Sequence, residues 1–341
     1  MAHPLETLAF HAAQRVRTSW FVGQKRLLMR LADPVKLPPE LAARMPDRES
    51  LKADLQDLLR RDRENVKAGR YLPPEDMLAN PVRALGDTIR YVADLPAIAM
   101  RRKARAHDEV FRATEPGRYP RYYLQNFHYQ TDGYLSARSA ALYDHQVEVL
   151  FNGAASAMRR QALIPLSAAL AGKKGAHLVD LGCGTGRFLR EAKANHPRLK
   201  VTGVDLSPFY LDDAKKALQP WTGARLLEAP AETTGEPAES ADAVSAIFLF
   251  HELPPRTRRA VVAEMARLLK PGGTAILLDS IQYGDLPDFD PLIEHFPLSF
   301  HEPYYDTYAK EDLTALFGSA GLKQEGSERV YLSKLMWFRK D

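Results

Sequence analysis

The chain changes rhythm near its middle. Ahead of Gly172-Lys173-Lys174-Gly175, apolar residues recur at helical spacing, as Leu51, Leu55, Leu58 and Leu59 do, which sets them on one helix face. Ser139 to Gln161 continues with few breakers, and Pro38-Pro39, Pro73-Pro74, Pro81, Pro96 and Pro116-Gly117 are expected to cut this half into five to seven helices. Behind the basic turn, short apolar runs alternate with amphipathic stretches. The runs predict strands at 177–181, 200–204, 225–227, 243–250 and 274–279, and the stretches predict helices at 187–195, 209–218 and 256–269, the last ended by Pro271-Gly272-Gly273. That alternation implies a doubly wound, mainly parallel sheet. A helix at 312–317 and two strands, around 324–327 and 330–338, suit an antiparallel finishing hairpin turned by Glu325-Gly326-Ser327-Glu328. The expectation is an α/β fold with a seven-stranded sheet in residues 173–341, preceded by a mostly helical domain in residues 1–172.

Composition narrows the setting. Of 341 residues, 45% are hydrophobic and 26% charged, the balance of a soluble globular protein. The longest strongly apolar stretch, Ala243 to Phe250, has the length of a core strand and not of a membrane span. Met1 to Trp20 is interrupted by Glu6, His11, Arg15 and Arg17, unlike a secretory leader. Cys183 is the single cysteine, which rules out an intrachain disulfide and a multi-cysteine zinc cage. A cytoplasmic location is expected. The net charge of +4 is uneven: residues 1–170 hold 26 Lys and Arg against 19 Asp and Glu, the remainder 21 against 24. Interleaving of signs, as in Arg60-Arg61-Asp62-Arg63-Glu64, reads as a solvated helix surface; attraction of nucleic acid or anionic lipid is the alternative.

The strand Leu178-Val179-Asp180-Leu181 runs into Gly182-Cys183-Gly184-Thr185-Gly186 and then a helix. Such a turn lets a nucleotide-like ligand approach the backbone and meet the N–H groups of the helix start. Its G-x-G-x-G spacing departs from the G-x-G-x-x-G of dinucleotide binders. Asp205 ends the second strand 19 residues after Gly186, near the spacing at which a carboxylate accepts from ribose hydroxyls. With no partnered base indicated, Cys183 reads as a small residue of the turn and not as a nucleophile.

Val179-Asp180-Leu181-Gly182-Cys183-Gly184-Thr185-Gly186, Gly203-Val204-Asp205-Leu206-Ser207 and Leu268-Leu269-Lys270-Pro271-Gly272-Gly273 resemble three ordered motifs of class I, Rossmann-like S-adenosylmethionine-dependent methyltransferases. The likeness covers about residues 176–341. It implies S-adenosylmethionine as cofactor, with Asp180 and the loop of Gly182, Cys183, Gly184 and Gly186 at the methionyl part, Asp205 and Leu206 at the ribose, and Ala231-Glu232 beside adenine. Pro230 stands where many relatives carry Asp. The run from Tyr143 to Arg159-Arg160 resembles the helices that cover the cofactor in quinone-pathway C-methyltransferases, making Tyr129, Tyr143 and Arg159 candidates for the methionyl carboxylate.

Ligands of open α/β sheets lie beyond the C-terminal strand ends, which singles out Phe250-His251-Glu252-Leu253-Pro254-Pro255 after the fourth strand. His251 is a candidate general base because its ordinary pKa lies near neutrality, and Glu252 a group that orients it or binds a substrate cation. The absence of H-E-x-x-H predicts no metal, and the absence of Asn/Asp-Pro-Pro-Tyr/Phe disfavours methylation of planar amide or base nitrogens. Two polar-aromatic stretches complete the candidates. Asp279 to Tyr305 contributes Tyr283, His301, Glu302 and Tyr304, with His301 a second candidate base; Tyr119 to Tyr134 contributes Tyr123, His128 and Tyr134, suited to a lid over the acceptor. The function that follows is methyl transfer to an oxygen, carbon or sulfur of a small molecule. The alternatives are a nucleic-acid methyltransferase or binder and a non-methylating S-adenosylmethionine-binding protein. Trp20-Phe21-Val22 and Leu95 to Arg105 are candidates for peripheral membrane contact.

Overall fold

The computed structural model describes residues 4–31, 35–74 and 81–341, with the side chains of 8–27, 35–74 and 84–341. The chain forms two units, one of Met1–Met158 with Glu294–His301, the other of Arg159–Ile293 with Glu302–Asp341.

The first unit is built of helices α1 (Pro4–Leu31), α2 (Pro39–Arg44), α3 (Arg48–Lys67), α4 (Pro81–Ala104), α5 (Glu109–Ala113) and α6 (Ala137–Leu150), with α7 (Ala155–Gln161) crossing the division. The Asp47 side chain accepts from the Ser50 N–H at 2.6 Å and starts α3, whose buried face of Leu55, Leu58 and Leu59 fits the predicted periodicity. α1 packs on α3 and α6, and α4 on α6. Two expectations are corrected here. Pro96 does not separate helices: it lies exposed inside α4, where it removes one backbone hydrogen bond without ending the helix. The predicted helix from Ser139 to Gln161 breaks after Leu150, because Asn152 and Gly153 take left-handed φ of 55° and 81° and the Gly153 N–H closes on Glu148 O at 2.7 Å.

In the second unit α8 (Leu163–Leu170) precedes β1 (His177–Leu181), α9 (Arg187–Asn195), β2 (Lys200–Asp205), α10 (Pro208–Leu218), β3 (Ala224–Glu228), β4 (Ala241–Ile247), α11 (Pro255–Leu268) and β5 (Leu269–Ser280). Then come α12 (Asp290–Ser299), shared with the first unit, α13 (Tyr305–Ala309), α14 (Leu313–Gly318), β6 (Leu322–Val330) and β7 (Ser333–Lys340). Among the described residues eight α-helices thus precede β1, more than the five to seven expected. α2 and α5, of 6 and 5 residues, are too short to show a period.

The sheet has seven strands in the order β3-β2-β1-β4-β5-β7-β6. β1 to β5 are parallel, and β7 lies antiparallel between β5 and β6. Leu178, Val179, Leu181, Val244, Ala246 and Ile276 form its buried centre, consistent with strands covered on both faces. Strand order reverses between β1 and β4, which opens a crevice at their C-terminal ends. Pro271-Gly272-Gly273 is not a separate turn; it lies within β5, opposite a register shift between Ala241 and Ala243. The closing hairpin turns at Tyr331-Leu332, with Tyr331 at φ 62° and Val330 paired to Ser333. Gly326, expected in that turn, sits inside β6 because a Cβ there would overlap the Trp337 indole. No helix among the described residues is long and apolar enough to cross a membrane.

Candidate functional site

The loop after β1 is shaped by its glycines. Gly182, Gly184 and Gly186 have φ of 68°, 54° and 75°, a region costly for L side chains. A Cβ on Gly184 would stand in the open, 3.9 Å from Tyr210, in space that a ligand lying on the loop would need. At Gly203 of β2 a Cβ would lie 2.7 Å from Leu189 and 2.8 Å from Cys183 Sγ, so glycine there lets the loop sit against the next strand. The loop is tied to that strand: the Cys183 N–H donates to Val204 O at 2.9 Å and the Gly184 N–H to Asp205 Oδ2 at 2.9 Å. Asp205 Oδ1 accepts from the Ser207 N–H at 2.8 Å, and the Ala229 N–H donates to Asp205 O at 3.1 Å. The latter bond brings in the segment after β3, where a Pro230–Thr233 turn holds Ala231 buried and Glu232 half-buried.

Both acids of this crevice are held toward the neutral form. Burial pushes Asp180 up to about 7 against the Ser245 hydroxyl, with Asp205 adding to the rise; that hydroxyl donates to Asp180 Oδ1 at 2.5 Å. Burial also raises Asp205, outweighing the N–H groups of Ser207, Gly184 and Leu206. Buried carboxyls whose charge burial disfavours are relieved by a ligand that brings hydroxyl or ammonium donors, and the open backbone of Gly184 gives room for it. The Cys183 thiol is buried and driven well above its usual range by desolvation and by Asp205 and Asp180, which makes it inert, as its place in the turn implied.

A second cluster stands at the ends of β4 and β5. β4 stops at Ile247, short of the predicted Phe250, because Phe248 turns to φ 58°. Leu249 then lies against Gly182, whose Cβ would be 2.9 Å from it, and a short 3-10 turn, Phe250–Glu252, carries His251 inward. Asp279, fully buried at the end of β5, grips this turn twice: Oδ1 lies 2.6 Å from His251 Nδ1 and Oδ2 accepts from the Phe250 N–H at 2.7 Å. Glu252 Oε1 lies 4.0 Å from His251 Nε2, and Glu252 and Glu302 carboxylate oxygens lie within 4.8 Å of each other. Burial works against the imidazolium, but Asp279, its hydrogen bond, Glu252 and Glu302 outweigh it and raise His251 to about 10. Burial and the Glu252 charge drive Glu302 well above the carboxylate range, against the pull of His251.

Sequence reasoning missed four members of this cluster. Tyr305 and Tyr308 present their rings edge-on to His251, at 6.2 and 6.3 Å between centroids, whereas the chosen Tyr304 and Tyr283 are only half-buried. Tyr308 Oη donates to Ser280 O at 2.6 Å and Tyr305 Oη bonds Ser280 Oγ at 2.7 Å. Asp279 and Ser280 were visible as the polar end of an apolar strand, and the i, i+3 spacing of Tyr305 and Tyr308 as one helix face.

The other candidates divide between the units. Tyr123, Phe127, Tyr134 and Tyr143 pack together in the first unit, with neighbouring centroids 5.5–6.0 Å apart. His128 meets Phe296 and Phe300 edge-on. His301 stacks on His107 at 4.1 Å, lies tilted to Tyr129, and its Nε2 is engaged by Gln125 Oε1 at 2.9 Å; burial and His107 lower it to about 4. Arg159, buried, opens the second unit.

Residues 178–273 match the family described as "Methyltransferase domain". The ubiquinone/menaquinone biosynthesis C-methyltransferase UbiE of Syntrophotalea carbinolica is 35% identical over 146 residues, 42% of this chain and 59% of the relative. The ubiquinone biosynthesis O-methyltransferase of Coxiella burnetii is 36% identical over 101 residues, 29% and 42%. A carboxy-S-adenosyl-L-methionine synthase of Citrifermentans bemidjiense is 26% identical over 147 residues, 41% and 57%. The chain thus spans about half the length of the curated relatives it matches.

Proposed function

We propose that this chain, which carries a class I S-adenosylmethionine-dependent methyltransferase domain, moves the methyl group to a hydroxyl of a phenolic, quinol-like small molecule. The observation that carries this reading is the buried His251–Asp279 pair, placed two residues beyond the leucine that lies against the glycine loop. When bound, the cofactor would supply an electrophilic methyl on a sulfonium, which the acceptor takes by in-line attack as the thioether leaves. In this assignment the glycine loop and Asp180 hold its methionyl part, Asp205 and Leu206 the ribose, and Ala231 and Glu232 the adenine side.

Asp279 occupies His251 Nδ1, and an imidazole raised to about 10 stays positively charged at neutral pH. A phenol has a pKa of about 10; the fixed positive charge favours its phenolate, which loses its proton to solvent before it attacks the sulfonium methyl. Glu302, whose carboxyl is pushed well above its usual range by burial and Glu252, lies within 4.8 Å of Glu252, and Tyr305 and Tyr308 fix the imidazole ring. The names of the quinone-pathway relatives cover both carbon and oxygen methylation; a buried imidazolium that stabilises an acceptor oxyanion supports oxygen. A second reading, cofactor binding without methylation, draws on the likeness to a carboxy-S-adenosyl-L-methionine synthase.

Incubating the full chain with methyl-labelled S-adenosylmethionine and a panel of catechols and hydroquinones separates these readings. O-methylated product that falls at least about tenfold in His251→Ala is expected. Carbon-methylated product, or binding of the donor with no methylated product, overturns the oxygen assignment.

A further inference from the structure

We propose that α1 and α4 form a docking surface for anionic lipid membranes. Each helix carries an apolar stripe that the described residues leave uncovered. On α1 the stripe runs through Leu8, Ala12, Val16, Trp20, Gly23 and Leu27, in steps of four, four, four, three and four residues, and on α4 through Leu85, Ile89, Ala93, Pro96 and Met100 in steps of four, four, three and four. These steps hold each set on one side of its helix. Leu8, Val16, Ile89 and Met100 keep 61–68% of their surface exposed, and Trp20, Leu27 and Leu85 keep 43–52%. They are not the helices' inward contacts: Phe21 of α1 packs with Val149 of α6 and with Tyr91, Val92 and Leu95 of α4 on another side. Isolated exposed apolar residues are ordinary, but two uncovered stripes on helices that share a core mark an interaction surface.

Charge identifies the occupant. α1 and α4 together hold 10 Lys and Arg against 3 Asp and Glu, which equals the whole excess of residues 1–170; α3 is close to balanced at 6 against 5. Of the basic residues on α1 and α4, Lys25 donates to Leu150 O, and Arg17 and Arg101 pair with Glu148 and Glu109; Arg15 and Arg26 are exposed on α1, as are Lys103 and Arg90, the latter paired with Asp87, on α4. A second copy would bring one basic face against another and be repelled. An anionic bilayer accepts both the apolar stripe, below its headgroups, and the basic residues, among them. Nucleic acid would satisfy the charges but leave the stripes in water. The interleaved charge of the first half therefore describes α3, whereas α1 and α4 carry a separate, concentrated excess.

The test uses the full chain and vesicles of phosphatidylcholine alone or with about a quarter phosphatidylglycerol. Sedimentation with the anionic vesicles only, weakened in about 0.5 M salt, and a blue shift of tryptophan emission lost in Trp20→Phe are expected. Val16→Asp with Ile89→Asp should lower vesicle affinity at least about tenfold while the melting temperature stays unchanged, since both sites are exposed. Failure to sediment with anionic vesicles, or equal sedimentation of the double variant, overturns the proposal. So does a dimer in light scattering that the double variant dissolves, or binding to a DNA duplex with none to vesicles.

Discussion

Replacing Asp279 with Asn keeps the shape of the His251 clamp and removes its charge. In the native protein the imidazole is raised from 6.5 to about 10, with Asp279 the largest favourable influence and burial opposing it. At about 1.36 kcal/mol for each pH unit, that rise corresponds to roughly 4–5 kcal/mol in favour of the imidazolium. Without Asp279 burial is opposed only by Glu252 and Glu302, and His251 should titrate well below about 10. Proton–carbon NMR of the imidazole Cε1–H reads this directly, with His251→Gln assigning the signal. Stability follows the same sign. A raised histidine contributes fully below its unfolded pKa of about 6.5 and loses that contribution as pH rises through about 10. The native protein should therefore lose its melting-temperature advantage over Asp279→Asn between those two values. A native His251 that titrates near 6.5, or one that Asp279→Asn leaves within about one unit, would refute the clamp.

Three further outcomes follow from the geometry. Tyr308→Phe removes the hydroxyl that donates to Ser280 O and should cost about 1–2 kcal/mol in denaturant unfolding; unchanged stability sinks its positioning role. Gly203→Ala forces a Cβ against Leu189, Cys183 and Leu226, for a predicted loss of about 1–3 kcal/mol, and a variant as stable as the native chain contradicts the tight strand–loop contact. Asp180, raised to about 7, is mostly protonated at mildly acidic pH and should release a proton when the cofactor's ammonium pairs with it. Calorimetry in phosphate and in Tris should then give different apparent enthalpies, and equal values would exclude that pairing.

Much of the second unit was legible because its signals are local. Apolar runs of strand length, a glycine turn and a carboxylate at the next strand's end specify β1, α9 and β2 within a short stretch of chain. Features set by contacts distant in sequence were not. Gly326 looks like a turn residue until the Trp337 indole is placed across from it, and Asp279 becomes a partner of His251 only when β4 and β5 lie side by side. Tyr304 and Tyr305 are alike in sequence, and only the direction of α13 decides that Tyr305 faces the imidazole. His301 looks as suitable a base as His251 until its stacking on His107 and its bond to Gln125 are seen.

The central claim, an S-adenosylmethionine site built by the glycine loop and Asp205, is tested most directly by isothermal titration of the full chain with S-adenosylhomocysteine. The account predicts saturable binding to the native chain, at least about tenfold weaker in Asp205→Asn and within about twofold of native in His251→Ala. No binding to the native chain, or equal binding to Asp205→Asn, would contradict it.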